Sequence, residues 1–345
     1  MIVSLYGPTA VASKLLGYLG DRLGRSDLRF AEEPEQVNDG WETFLYRFRL
    51  QADGGIPEPF TRPLVLRLYS NSKGLPRLRH EFAAQQHMGR VGYPVANPLL
   101  LEEKESPLGG PFMIMERAPG QTFLDYMLRH PWRIIDGPTL MAELHARVHR
   151  LPADGFPTRP GPFLTHHFQE MRAIIEDYQL PGLKPGLDWL YRHRPAPPRR
   201  PSIVHLDYHP LNLIYDRDHF TAVLDWTESD VGDAHADIAA TIVLFKAVPV
   251  QISRFMHRLA ALPGRGMLRR RYVRAYRRLL PLDRGLLSYY TAWASFRRLC
   301  AWGRWLCAGP QSTGGKPSSM RHLSPNRVNF LRRYFERWSG VSIEL

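Results

Sequence analysis

Val11, Leu15, Leu19 and Leu23 fall four apart, which predicts a short amphipathic helix over residues 9–24. The pattern then changes to strands. Residues 40–48 open on a turn glycine and alternate, 63–69 form a nearly continuous apolar run, and 99–103 with 111–116 read as a hairpin around Ser106–Gly110. Between the second and third of these runs, Pro76 in a first turn and Gly89 at the close bracket a helix. From Gln121 onward the period is helical. Leu140, Met141, Leu144 and Val148 share one face of a helix stopped by Pro152, and Tyr289, Trp293, Phe296 and Cys300 share a face of another. Residues 309–325 are rich in Gly, Ser and Pro and predict a mobile loop, and 326–338 a closing helix.

Several polar residues interrupt these patterns. Arg67 sits inside an otherwise apolar strand, where a buried charge needs a partner or a ligand. Glu81, in the middle of the following helix, is the nearest candidate to pair with it. The largest interruption is Ser202–Asp225: a short apolar lead-in, the polar loop His205–Asn212, then two strand-like runs, 213–215 and 220–224, around Asp216–His219. A hairpin centred between Asp218 and His219 would set Asn212 beside Asp225. Their carboxamide and carboxylate oxygens are hard donors suited to Mg²⁺. Asp207, five residues before Asn212, could face a substrate held against that metal.

The H-x-D-x-x-x-x-N pattern His205–Asn212 followed by a hairpin ending at Asp225 resembles the phosphotransfer loop of the protein-kinase-like superfamily. The form HLDYHPLN then VLDW, followed by Gly232-Asp233 and Asp237-Ile238-Ala239, is most similar to the aminoglycoside phosphotransferase family of small-molecule kinases. Protein kinases would show D-F-G and A-P-E, where this chain has Asp225-Trp226-Thr227 and no A-P-E. The resemblance implies an α+β, bilobal protein-kinase-like fold, with a small antiparallel-sheet N-lobe and a larger, mostly helical C-lobe carrying a catalytic β-hairpin. The organisation expected from it is an N-terminal helix (1–25), an N-lobe (26–116), a hinge (117–120) and a C-lobe (121–345).

The same resemblance implies that the γ-phosphoryl of ATP or GTP moves to a hydroxyl of an aminoglycoside-, macrolide- or metabolite-type acceptor, as in antibiotic resistance or secondary metabolism. It casts Asp207 as the catalytic base and Asn212 and Asp225 as Mg²⁺ ligands. Arg67, oriented by Glu81, takes the place of the usual phosphate-contacting lysine. Gly40 falls in the nucleotide-covering loop, though an ordinary turn explains one glycine as well. Met115 and Glu116 lead into the hinge whose backbone would meet the purine, while His205 and Asp237 brace the loop from behind. Asp237 also reads as the N-cap of helix 237–245.

Composition changes this picture little. The net charge of +13 would suit nucleic acid or an anionic surface. Much of the excess is local, however: ten Arg against one Asp between Gln251 and Arg284, around the apolar stripe Leu268, Tyr272, Ala275 and Leu279. A solvated helix face accounts for that, an anion-recognising surface is the alternative, and no nucleic-acid motif accompanies it. Cys300 and Cys307, about 10 Å apart on one helix, are too distant for a disulfide. No long apolar run suggests a membrane span, and no signal peptide is evident, so a cytoplasmic protein is expected. Adjacent His166 and His167 would point apart, and no carboxylate or cysteine completes a metal set, so no metal site is expected there. A catalytically inactive kinase-like binding module is the main rival reading, and a basic nucleic-acid-binding protein a lesser one.

Overall fold

Five strands, β1 (Arg29–Val37), β2 (Phe44–Gln51), β3 (Leu64–Leu68), β4 (Pro98–Glu102) and β5 (Phe112–Glu116), form an antiparallel sheet in the order β1-β2-β3-β5-β4. The computed structural model describes residues 6–37, 43–104, 106–247, 255–316 and 324–345, with side chains described outside 246–247 and 255–265. The chain divides into two units, Met1–Pro119 with Ala308–Met320, and Gly120–Cys307 with Arg321–Leu345. Gly40 lies outside the described residues.

In the first unit, helix α1 (Pro8–Leu23) turns Val11, Leu15 and Leu19 into a core shared with Tyr46, Phe48, Leu64, Leu66 and Leu68. Burying an aliphatic side chain of this size contributes roughly 1.5–3 kcal/mol, which makes the four-residue spacing the strongest local determinant here. Helix α2 (Leu75–Arg90) buries Leu78, Ala84 and Met88 together with Glu81. Strand β1 has no counterpart in the apolar pattern. Its sequence, RFAEEPEQV, is mostly exposed and charged, with a proline inside, as befits an edge strand that must not recruit another chain.

The 309–325 region departs from a loop over its described part. Pro310–Thr313 form a 3₁₀ turn, and Thr313–Lys316 are buried. Ser70 fastens this segment to the end of β3: its N–H donates to Gly314 O at 3.1 Å, and its hydroxyl donates to Gly314 O and Gly315 O, both at 3.0 Å.

The second unit is largely helical: α3 (Phe123–Arg129), α4 (Arg133–Arg150), α5 (Phe163–Asp177), α6 (Lys184–Arg192), α7 (Ala234–Ala247), α8 (Phe255–Leu279), α9 (Arg284–Ala308) and α10 (Pro325–Ser339). Trp293, Phe296, Leu299 and Cys300 on α9 are fully buried against α5, α6 and α10, whereas Cys307 is exposed rather than part of the core. The basic helix α8 buries Tyr272, Ala275 and Tyr276 and exposes Arg270, Arg271, Arg274, Arg277 and Arg278, the arrangement of a solvated amphipathic helix.

Two small sheets complete this unit. Strand β7 (Ser202–Val204) pairs with β10 (Asp230–Gly232), and β6 (Gln121–Thr122) pairs with the hairpin β8 (Leu213–Asp216) and β9 (His219–Val223). Gly120 makes the β6 approach feasible. Its φ is +110°, and a Cβ there would stand 2.3 Å from Tyr215 O.

Candidate active site

The hairpin register differs from the sequence expectation. Arg217 and Asp218 both have positive φ, +45° and +65°, so they form a two-residue turn that matches the strand twist. An irregularity between Ile214 and Tyr215 then shifts the pairing, so that Leu213 faces Val223. Leu224, not Asp225, is therefore opposite Asn212, and its N–H donates to Asn212 O at 2.8 Å. Asp225 follows immediately, with a left-handed φ of +62° where the chain leaves the strand.

Leu206 is also left-handed, at +61°. Each such residue costs about 1–2 kcal/mol and persists only where its surroundings over-determine it. Here they do. The Asp237 carboxylate accepts the His205 N–H at 2.5 Å and the Leu206 N–H at 2.8 Å. It also meets His145 Nε2 at 2.9 Å and His149 Nε2 at 3.2 Å, while each of those rings turns Nδ1 to a tyrosine hydroxyl of α8, Tyr272 and Tyr276, at 2.5 Å. Burial pushes His145 down to about 4 against the pull of Asp237, so it is neutral. Its Nε2–H then donates to Asp237, and Tyr272 O–H donates to its Nδ1. Burial alone would raise the Asp237 carboxyl, but His145 and His149 hold it well below the usual carboxylate range. Asp237 stands in the first turn of α7, while Asp233 accepts the His235 N–H at 2.9 Å; the capping role expected of Asp237 thus belongs to Asp233, because the helix begins three residues earlier.

His205 connects the loop to the hairpin. Its Nε2 donates to Leu224 O at 2.9 Å, and its Nδ1 accepts the Asp207 N–H at 3.2 Å. Asn212 Nδ2 donates to Asp207 O at 3.0 Å and to Asp207 Oδ2 at 3.1 Å. Asp225 Oδ1 accepts from the Thr227 hydroxyl at 2.5 Å. Asp207, Asn212, His205 and Asp237 therefore share one hydrogen-bonded cluster in the second unit, and Asp225 follows Leu224, which is bonded to Asn212.

Two residues of this cluster were not legible as site residues. Arg298 Nη2, on α9, donates to Asp207 Oδ1 at 2.9 Å, and His209 Nε2 stands 3.5 Å from Asp207 Oδ2. Burial would raise the Asp207 carboxyl; His209 and Arg298 outweigh it and hold the group below the usual range. The neighbouring Arg297 donates to Glu228 at 2.8 Å and to Leu206 O at 3.4 Å. Only the position of His209 inside the loop offered a sequence signal, and none linked Arg297 or Arg298 to a loop some ninety residues earlier.

In the first unit, Arg67 and Glu81 form a buried ion pair, Nη1 to Oε1 at 2.7 Å, between β3 and α2. Met115 is buried on β5. The Glu116 carboxylate accepts from Arg62 at 2.8 Å and from Asn97 at 2.9 Å, and its N–H donates to Asn97 O at 2.9 Å.

No described helix is long and apolar enough to cross a membrane. Among curated proteins, acyl-CoA dehydrogenase family member 10 of Mus musculus is 30% identical over 217 residues, covering 57% of this chain but only 20% of the mouse protein. Among solved structures, a candidate aminoglycoside phosphotransferase from Ralstonia eutropha JMP134 superposes with a TM-score of 0.60 at 20% identity, over 95% of this chain and 98% of that one. A thermostable mutant of aminoglycoside phosphotransferase APH(4)-Ia, in ternary complex with ADP and hygromycin B, superposes at 0.55 and 19% identity, over 88% and 100%. At these identities the likeness establishes a kinase-like fold. The model of the phosphotransferase enzyme family matches residues 34–285, a span that includes the Arg67–Glu81 pair and the whole of the loop and hairpin built around Asp207. The chain belongs to the phosphotransferase enzyme family.

Proposed function

We propose that this protein transfers the γ-phosphoryl group of ATP or GTP to a hydroxyl of a small molecule. The observation that supports the reading is the Asp207–Asn212 contact beside the Leu224–Asn212 backbone bond, which sets the Asp207 carboxylate and the Asn212 carboxamide at the hairpin mouth from which Asp225 follows. The donor set fits Mg²⁺. The Asn212 amide nitrogen is directed to Asp207, which leaves its oxygen to act with the Asp225 carboxylate, and both are hard ligands. Mg²⁺ held there would offset charge on the phosphate oxygens.

Asp207 accepts the hydrogen bond of the attacking hydroxyl and takes its proton late. A carboxylate held ionised by Arg298 and His209 is a weak base, but in a loose transition state positioning carries most of the catalysis. One carboxylate offers about four lone-pair sites, so these partners still leave room for the hydroxyl. Arg67, aligned by Glu81, binds phosphate oxygens bidentately in the place of the usual lysine. Because the Glu116 N–H is engaged with Asn97, purine contacts at the end of β5 fall to carbonyls and to the residues that follow.

The acceptor would be neutral or anionic. Arg298 and His209 surround Asp207, and two acids that could have received a cationic amine are engaged: Glu228 with Arg297 and Arg159, and Asp233 with His235. The test is transfer of labelled γ-phosphate from Mg-ATP and Mg-GTP to a panel of hydroxylated acids, neutral sugars and aminoglycosides, with wild type and Asp207→Ala. Transfer lost in the variant supports the assignment. Nucleotide binding without transfer to any acceptor points to the inactive binding module, and equal turnover by both proteins sinks the role of Asp207.

A further inference from the structure

The second unit contains two buried clusters of the same composition, each with two histidines and one aspartate whose ligand atoms lie within 4.8 Å of one another. They differ in one respect. In His145, His149 and Asp237 every ring nitrogen has a hydrogen-bond partner. In His166, His167 and Asp230, neither ring nitrogen of either histidine makes a hydrogen bond among the described residues, nor does Asp230 Oδ2. The side chains are nonetheless buried, at 9%, 1% and 1% exposure. Buried polar atoms normally find partners, so five unsatisfied ones in one place call for an occupant.

We propose that His166, His167 and Asp230 form a binding site for a divalent transition-metal ion of the Zn²⁺ type. The expectation that the adjacent histidines diverge is not met: their ring centroids are 4.4 Å apart at the start of α5. The missing carboxylate comes from β10, far along the chain. His166 Nε2 and Asp230 Oδ2 approach to 2.9 Å. Zinc bonds of about 2.0–2.2 Å to nitrogen and oxygen bring neighbouring ligand atoms to roughly 3–3.5 Å, so this spacing suits a shared ion. The nearby guanidiniums are not bare: Arg297 is paired with Glu228, and Arg159 with Glu170 and Glu228.

Two imidazoles and a carboxylate match borderline metals, and three protein ligands leave one position for water. The site is walled by Phe163 and Trp293, whose rings lie 4.8 and 5.0 Å from that of His167. Gly232 admits this packing, since a Cβ there would come within 2.6 Å of Phe163. An ion here would fasten α5 to β10. Asp230 is the register partner of Val204, the residue just before His205, so the metal would anchor the strand that launches the Asp207 loop. This assignment stands independently of the phosphoryl-transfer reading.

The experiment is a Zn²⁺ titration of the metal-stripped full chain against a chromogenic chelator, for wild type, Asp230→Asn, His167→Phe and Asn212→Ala. One tight equivalent is expected in wild type and Asn212→Ala, with affinity weakened at least about tenfold in Asp230→Asn and His167→Phe, the effect expected for a lost ligand. Absence of a tight equivalent in wild type overturns the proposal and leaves water as the occupant. Wild-type affinity in both ligand variants also overturns it, placing the ion elsewhere. Should those variants fail to fold, X-ray absorption of the wild-type zinc complex decides: a shell of two imidazole nitrogens with oxygen supports the site, and any other shell rejects it.

Discussion

Arg298 Nη2 stands 2.9 Å from Asp207 Oδ1, so a residue on helix α9 joins His209 in holding ionised the carboxylate assigned to the transfer step. Removing that cation lets the Asp207 pKa rise. Arg298→Met should therefore move the acidic limb of the kcat/KM–pH profile to higher pH, since Asp207 must be ionised to act. The same substitution should raise KM for an anionic acceptor by about tenfold, the worth of one charge-assisted contact. A profile identical to wild type would detach Arg298 from the site.

Asp207→Ala should lower turnover by about three orders of magnitude while leaving nucleotide affinity nearly intact, because the side chain is assigned to the acceptor hydroxyl. Asp225→Ala should abolish the magnesium-dependent thermal shift given by ATP or GTP. Ligand at about 100 times its Kd adds roughly 2.7 kcal/mol to a binding-competent protein, which is readily seen in a melt.

The Arg67–Glu81 pair separates stability from function. Removing one partner of a buried ion pair costs about 3–5 kcal/mol, whereas replacing both with apolar residues of similar volume is often neutral. Glu81→Ala should lower unfolding stability by several kcal/mol in denaturant titrations. Arg67→Met combined with Glu81→Leu should recover most of that stability and still fail to bind nucleotide. Retained nucleotide binding in the double variant would reduce the pair to a structural role.

The Asp237 network predicts the acid limb of stability. His145 titrates near 4 in the fold against 6.5 when unfolded, so its contribution is complete above 6.5 and is lost as pH falls toward 4. Asp237, held below its ordinary value, loses its own contribution at still lower pH. Between these limits the unfolded chain binds one more proton at position 145, and stability should fall by up to about 1.4 kcal/mol per pH unit. Chemical denaturation at a series of pH values measures the slope, and His145→Gln should flatten it.

The helices and central strands were legible because their apolar positions repeat at four or alternate, as in Val11, Leu15 and Leu19 or in Leu64–Leu68. Asp207, Asn212 and Asp225 could be put forward together as candidates because they lie within one short stretch. Strand β1 was not: an exposed edge carries charge and a proline where the pattern demands alternation. The hairpin register was missed by one residue, since the irregularity beside Ile214 depends on packing. Arg298 and Asp230 were missed as partners of Asp207 and His166 because pairing across the tertiary fold leaves no trace in local spacing.

Ser70 binds Gly314 and Gly315, which makes the sheet unit a product of both ends of its sequence. During synthesis the strands emerge long before the segment that covers the end of β3. At roughly 5–20 residues per second, the interval from residue 119 to residue 316 is on the order of 10–40 s. For that time Ser70 lacks its final hydrogen-bond acceptors and the ring of Tyr69 lacks the backbone of Gly314 against it. A ribosome stalled between these two points would present the sheet without those contacts.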